Sequence, residues 1–200
     1  ITAGEGGIVV TNDEALAEFC WSFHTVGRTR AGAWYEHEIL GTNYRMPEWE
    51  GALLLVQLER YPEHIPVREA NARYLAQLLA QIGGLDALPD DPRVTQHARH
   101  LFIAQYNSRA FGGHSRREFL DALRAEGIGA CSSGYIPLYR TNAIQRTMAD
   151  MFGVTDLPNC PVTDRAAEEA VWFFQYVLLG DRSDMESIAE AVSKIKSAWV

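Results

Sequence analysis

Three glycines within four positions, Gly4, Gly6 and Gly7, stand directly before the β-branched run Ile8-Val9-Val10. Glycine tolerates φ > 0 and close backbone approach, so Ile1–Thr11 reads as a strand, a tight turn and a short buried strand. A dinucleotide-binding loop is excluded, because the glycine spacing departs from G-x-G-x-x-G and no helix follows directly. Glu5 is expected to accept backbone N–H bonds and hold the turn rather than serve as a general base. The chain opens on Ile1 without a methionine and reads as the continuation of a longer protein.

Thr11-x-x-Glu14 has the spacing of a capping box, and Leu16, Phe19, Cys20 and Phe23 recur at helical intervals, which predicts a helix from about Asp13 to His24. Residues 27–41 mix glycines, aromatics and charges without a period and read as an irregular loop open to a ligand or partner. Pro47 suits the first turn of a helix over Trp49–Arg60, which is apolar on nearly every side and is expected between domains or subunits. Pro62 and Pro66 are expected to interrupt it before a second helix, Val67–Ile82, stopped at Gly83-Gly84. Leu85–Arg99 reads as loop, Leu101–Tyr106 as a strand, and Ser115-x-x-Glu118 as the cap of a helix that buries Phe119, Leu120 and Leu123 and stops at Gly127. A short strand at Ile128–Cys131 and helices near Asn142–Met151 and Thr163–Phe173 follow. Ser183-x-x-Glu186 is expected to cap a last helix with Met185, Ile188, Val192 and Ile195 inward. Trp172, Phe173, Phe174 and Tyr176 read as packing residues. This order predicts two unequal α/β domains with a boundary between Pro62 and Gly84.

A net charge of -8 with scattered basic residues argues against a phosphate-tracking surface for nucleic acid. No run reaches the roughly 20 apolar residues a bilayer crossing requires. Cys20, Cys131 and Cys160 lack zinc-ligand spacing and suit reduced thiols in a cytoplasmic protein. Ser132-Ser133-Gly134 has no histidine and acid at a telling distance, so a hydrolase triad is unsupported. Lys194 and Lys196 are the only lysines, and their place near the C-terminus reads as a solvated helix face.

Several strings together are similar to one family. T-A-G-E-G-G before a β run resembles the segment that follows the cofactor-bearing lysine in the DegT/StrS-type aminotransferases. His24-Thr25-Val26-Gly27-Arg28 resembles that family's H-x-x-G-R, Tyr35-Glu36-His37 its Y-x-H, and Gly41-Thr42-Asn43-Tyr44-Arg45-Met46 its G-x-N-x-R-M. Pro137-Leu138-Tyr139, Cys160-Pro161-Val162-Thr163-Asp164 and Val171-Trp172 through Gly180 resemble later segments, with wording that leans toward the cyclitol and aminohydroxybenzoate-synthase branch.

The resemblance implies an α/β protein of the fold-type I class that uses pyridoxal 5'-phosphate (PLP). Residues 1–62 are expected to be an incomplete remnant of the large PLP-binding domain, 63–84 a linking helix and 85–200 a small C-terminal α/β domain. The implied substrates are a keto-sugar, often nucleotide-linked, or a cyclitol, with an amino acid as amino donor. The implied assembly is a cytoplasmic homodimer with its active site shared across the interface. The Schiff-base lysine is expected two or so positions before Ile1, so no catalytic residue is named within the chain. Asn43 is expected to hydrogen-bond the cofactor phosphate of the partner subunit, against the alternative of an Asn bonding its own turn. Arg28 and Arg45 are expected to donate to substrate phosphate or carboxylate, and Tyr139 to contact substrate where many relatives hold histidine. His24 and His37 read as packed or helix-terminal residues rather than catalysts. Two other readings stay open: a PLP-dependent sugar dehydratase with histidine at the lysine's place, and a non-catalytic dimerisation module that lends Asn43 to a partner.

Overall fold

The computed structural model describes residues 1–200, and its contacts divide the chain into two units, Ile1–Glu63 and His64–Val200. In the first unit, helix α1 spans Glu14–His24. Its cap is Asp13, whose Oδ1 accepts from the Leu16 N–H at 3.0 Å, while Thr11 Oγ1 accepts one step earlier from the Asp13 N–H at 3.1 Å. The expected Thr11 box therefore yields to Asp13, because an anionic acceptor at the N-cap also gains from the helix dipole.

Ile8–Val10 forms no strand in this chain, and the three side chains stand 67%, 69% and 89% exposed. A strand is held by a neighbour that takes its N–H and C=O groups, and the one sheet of the structure lies wholly in the second unit. The glycine turn is held by Thr2 rather than Glu5: Thr2 Oγ1 lies 3.3 Å from Gly4 N, and Glu5 accepts no backbone bond. Helix α2 runs unbroken over Glu48–Ile82, a second correction, because Pro62 and Pro66 do not interrupt it. The two prolines stand one helical turn apart on exposed positions, so the Leu58 and Pro62 carbonyls that lose their donors have water at hand. Trp49, Leu53, Leu55 and Leu58, expected to be covered, are 46–65% exposed here.

In the second unit, α2 contributes Ala72, Leu75 and Leu79 to the core and stops at Gly83 and Gly84, both left-handed (φ 72 and 91). Lys196 Nζ donates to the carbonyls of Ile82 and Gly83 at 2.5 and 3.1 Å, so this lysine caps another helix's C-terminus and is not merely a solvated charge.

The sheet has strands β1 (Leu85–Ala87), β2 (Leu101–Tyr106), β3 (Cys131–Ser133) and β4 (Ala170–Phe174), antiparallel in the order β1-β2-β4-β3. The expected Leu85–Arg99 loop thus begins with an edge strand, and β3 lies a few residues beyond the expected Ile128–Cys131. The expected helix over Thr163–Phe173 is instead α5 (Pro161–Glu169) followed by the central strand β4. Ala- and Glu-rich sequence favours helix only up to Glu169, and the apolar run Val171-Trp172-Phe173 then pairs on both edges and is 0–7% exposed.

Helices α3 (Arg116–Ala125), α4 (Asn142–Phe152) and α6 (Arg182–Trp199) complete the unit. The expected Ser115–Glu118 box is present, with Ser115 N–H donating to Glu118 Oε2 at 2.8 Å. The α6 box lies two residues before the expected place, at Asp181 and Asp184, yet Met185, Ile188, Val192 and Ile195 point inward as the spacing requires. Tyr106, Phe111 and Phe119 form the aromatic centre with ring centroids 4.8–5.1 Å apart. Phe174 is only half-buried and Tyr176 is 57% exposed, so of the expected aromatic group Trp172 and Phe173 are the core members.

Candidate functional site

The segments His24–Arg28 and Gly41–Met46 fold against each other. After α1 the chain reverses through two left-handed residues, Val26 (φ 58) and Gly27 (φ 84). The Thr42 N–H then donates to the Phe23 carbonyl (2.8 Å), the Val26 N–H to Thr42 (3.1 Å) and the Tyr44 N–H to His24 (2.9 Å), while Thr25 and Asn43 form an antiparallel bridge. The approach is so close that a Cβ on Gly27 would lie 1.9 Å from the Ile39 carbonyl oxygen, and one on Gly41 would lie 2.5 Å from Gly27 N. These two glycines are fixed by space. The left-handed, β-branched Val26 holds about 1–3 kcal/mol of backbone strain beside them.

Asn43 is exposed on this platform. Its Oδ1 accepts from the Arg45 N–H at 3.4 Å, a long bond of the turn-bonding kind, which leaves the amide N–H groups unspent. Arg28 is half-buried, with Nε buried and without a partner. Its guanidinium lies 4.9 Å from the Trp34 ring centroid and 5.6 Å from that of Tyr35. Both rings are about three-quarters exposed (77% and 76%), so the cation is oriented by open aromatic faces rather than by an ion pair. The Arg45 side chain is exposed and forms no salt bridge. His24 Nδ1 donates to the Trp21 carbonyl at 2.7 Å and His37 Nδ1 to that of Val26 at 2.8 Å. Both imidazoles fasten this turn.

Tyr139 belongs to the second unit, in a single 3-10 turn over Leu138–Arg140. Its hydroxyl donates to Asp164 Oδ1 at 2.5 Å, and Arg140 holds the other carboxylate oxygen at 2.5 Å. The Tyr139 proton is therefore committed, and what remains for a ligand is the ring. Sequence reasoning missed Asp164 as its partner; no spacing rule links residues 25 apart across a turn and a helix.

A cleft of the same unit is lined by Glu69, Arg73, Asp90, His97 and Arg99. Arg99, left-handed at φ 50, grips Glu69 through Nε (2.9 Å) and Nη2 (3.1 Å) and reaches Asp90 at 2.7 Å. The Arg99 hydrogen bond holds the Glu69 carboxyl below the ordinary carboxylate range. These charges are mutually satisfied, and they strap residues 90–99 to α2.

No cluster of three or more His, Cys, Asp or Glu has metal-site geometry, and no helix is long and apolar enough to cross a membrane. Lys194 pairs with Glu126 at 2.6 Å on an exposed position, and Lys196 caps α2.

The model of the DegT/DnrJ/EryC1/StrS aminotransferase family matches residues 1–193. A Micromonospora echinospora protein assigned as L-glutamine:3-amino-2,3-dideoxy-scyllo-inosose aminotransferase is 32% identical over 98% of this chain and 50% of its own length. The 3-amino-5-hydroxybenzoate synthase of Amycolatopsis mediterranei is 30% identical over 96% of this chain and 50% of its own. The crystal structure of a 3-amino-5-hydroxybenzoic acid synthase superposes with a TM-score of 0.76 at 25% identity, covering 94% of this chain and 48% of that one. The chain spans about half the length of the curated relatives it matches. The fold is accordingly that of half a fold-type I aminotransferase, α/β with a small antiparallel sheet.

Proposed function

The chain belongs to the DegT/DnrJ/EryC1/StrS aminotransferase family, and from that premise we propose that it is the C-terminal part of a PLP-dependent enzyme that converts a ketone on a cyclitol or sugar to an amine. The observation that carries the reading is the Thr25–Asn43 bridge, which presents the Asn43 amide with its N–H groups unspent on a platform two glycines make possible. Relatives named for glutamine-dependent amination of cyclitols support glutamine as the donor and a cyclitol ketone as the acceptor.

The residues present fit the phosphate of PLP. A phosphate requires N–H donors that have no internal partner, and the Asn43 amide meets that requirement. Bound PLP supplies an electron sink for removing a proton beside the substrate nitrogen. In this reading Asn43 donates to a phosphate oxygen across the interface of a homodimer. Arg28, held between Trp34 and Tyr35, and Arg45 orient anionic groups of the substrate or donor. Tyr139, its proton held by Asp164, offers the substrate its ring. The three free cysteines support a reducing, cytoplasmic setting. We read residues 1–62 as part of the large domain, 63–84 as the linking helix and 85–200 as the small domain.

The test is Asn43→Ala in the full-length enzyme. Loss of a hydrogen bond to a charged acceptor is worth about 1.5–3 kcal/mol, so the PLP Kd is expected to rise by about 10- to 150-fold. An unchanged Kd would remove Asn43 from the cofactor site.

A further inference from the structure

Where the chain leaves β3 it crosses the last turn of α5 at very short range. The Gly134 N–H donates to the Ala170 carbonyl at 3.2 Å, and a Cβ on Gly134 would lie 2.8 Å from the Ala167 carbonyl oxygen. Beside this crossing a cavity of about 230 Å³ opens between residues 134–137, the start of α3 and α5. That volume lies below the range of about 300–1,000 Å³ that holds drug-sized ligands, so a small molecule fits it. Tyr135 and Ile136 are exposed along one wall, and the Tyr135 ring is braced by the buried Trp172, with centroids 5.3 Å apart.

Four charged side chains face the cavity: Arg116, Arg140, Asp164 and Glu168. Arg140 and Asp164 are paired with each other. Arg116 and Glu168 form no ion pair, and the Glu168 carboxylate accepts no hydrogen bond. The Arg116 Nη1 donates to the Ala170 carbonyl at 3.2 Å, while its Nε and Nη2 have no partner in the fold and are not buried. Burial pushes the Arg116 guanidinium below its ordinary range and the Glu168 charge pushes it back, so the two groups feel each other without touching. A simple anion would gain Arg116 and be repelled by Glu168, and a simple cation would meet the reverse. A ligand that carries both charges satisfies both.

We infer that this cavity binds a free α-amino acid with a neutral, apolar side chain. The carboxylate meets the open N–H groups of Arg116, the ammonium meets Glu168, and the side chain lies along Tyr135 and Ile136. The site lies wholly within the second unit and needs no cofactor.

The test is calorimetric titration of the full-length protein with L-leucine, 4-methylpentanoate and 3-methylbutylamine, the last two being leucine without its ammonium and without its carboxylate. Leucine is expected to bind, and each truncated analogue to bind about 10-fold more weakly or worse, because each loses a charge-assisted bond. Glu168→Gln changes an exposed side chain that holds nothing in the fold. It is expected to weaken leucine by about 10-fold or more and to leave 4-methylpentanoate as tight as before or tighter. No leucine binding, truncated analogues as tight as leucine, or leucine affinity unchanged in Glu168→Gln would each overturn the assignment.

Discussion

Replacing Gly27 by alanine puts the close packing of the two motif segments to a quantitative test. Gly27 has φ 84, and the new Cβ would meet the Ile39 carbonyl oxygen at 1.9 Å and its carbon at 3.0 Å. The left-handed backbone alone costs an L-residue about 1–2 kcal/mol. The clash is with main chain, which cannot rotate aside, and moving it adds about 1–3 kcal/mol. It also disturbs the bond from the Glu38 N–H to the Gly27 carbonyl, at 2.8 Å. The sum is about 2–5 kcal/mol. Gly127→Ala is the matched control, because Gly127 has φ 91 and no atom within 4 Å of a Cβ, so only the backbone term of about 1–2 kcal/mol applies. Urea unfolding followed by tryptophan fluorescence measures both, and hydrogen exchange at the Thr42 and Tyr44 amides locates the loss, since these donate to Phe23 and His24. A Gly27→Ala protein no less stable than Gly127→Ala, with Thr42 and Tyr44 still protected, would refute the spatial argument.

Two further outcomes follow from the second unit. Lys196→Met removes two bonds to the last carbonyls of α2 and is expected to cost about 1–2 kcal/mol in thermal unfolding, whereas Lys194→Met, an exposed pair, stays within about 0.5 kcal/mol. The Glu69 carboxyl is held low chiefly by its hydrogen bond from Arg99, so its stabilisation is present above the unfolded glutamate range and is lost as pH falls through the lower folded value. Glu69→Gln should flatten that acid limb of a stability-against-pH profile.

What the sequence made legible were features set by local chemistry. The Ser115–Glu118 box, the inward stripe of α6 and the glycine stop after Ile82 each depend on neighbours within a turn or two, and each is present. Strand β4 was not legible, because its Ala- and Glu-rich approach favours helix and its partners β2 and β3 lie far away in the chain. Pro62 and Pro66 misled for a related reason: the penalty for proline is real, but exposed carbonyls at those positions have water to turn to. At the candidate site, the motif strings named Asn43, Arg28 and Arg45, and the structure brings their two segments together through Gly27 and Gly41. The commitment of Tyr139 to Asp164 joins residues 25 positions apart, a relation no periodicity encodes.

The most direct test of the central claim is borohydride reduction of the full-length protein from its native source, followed by peptide mass mapping. The account predicts a PLP adduct on a lysine in the peptide that runs into Ile1-Thr2-Ala3-Gly4. A protein with no adduct, or with histidine at that place, would contradict the aminotransferase reading.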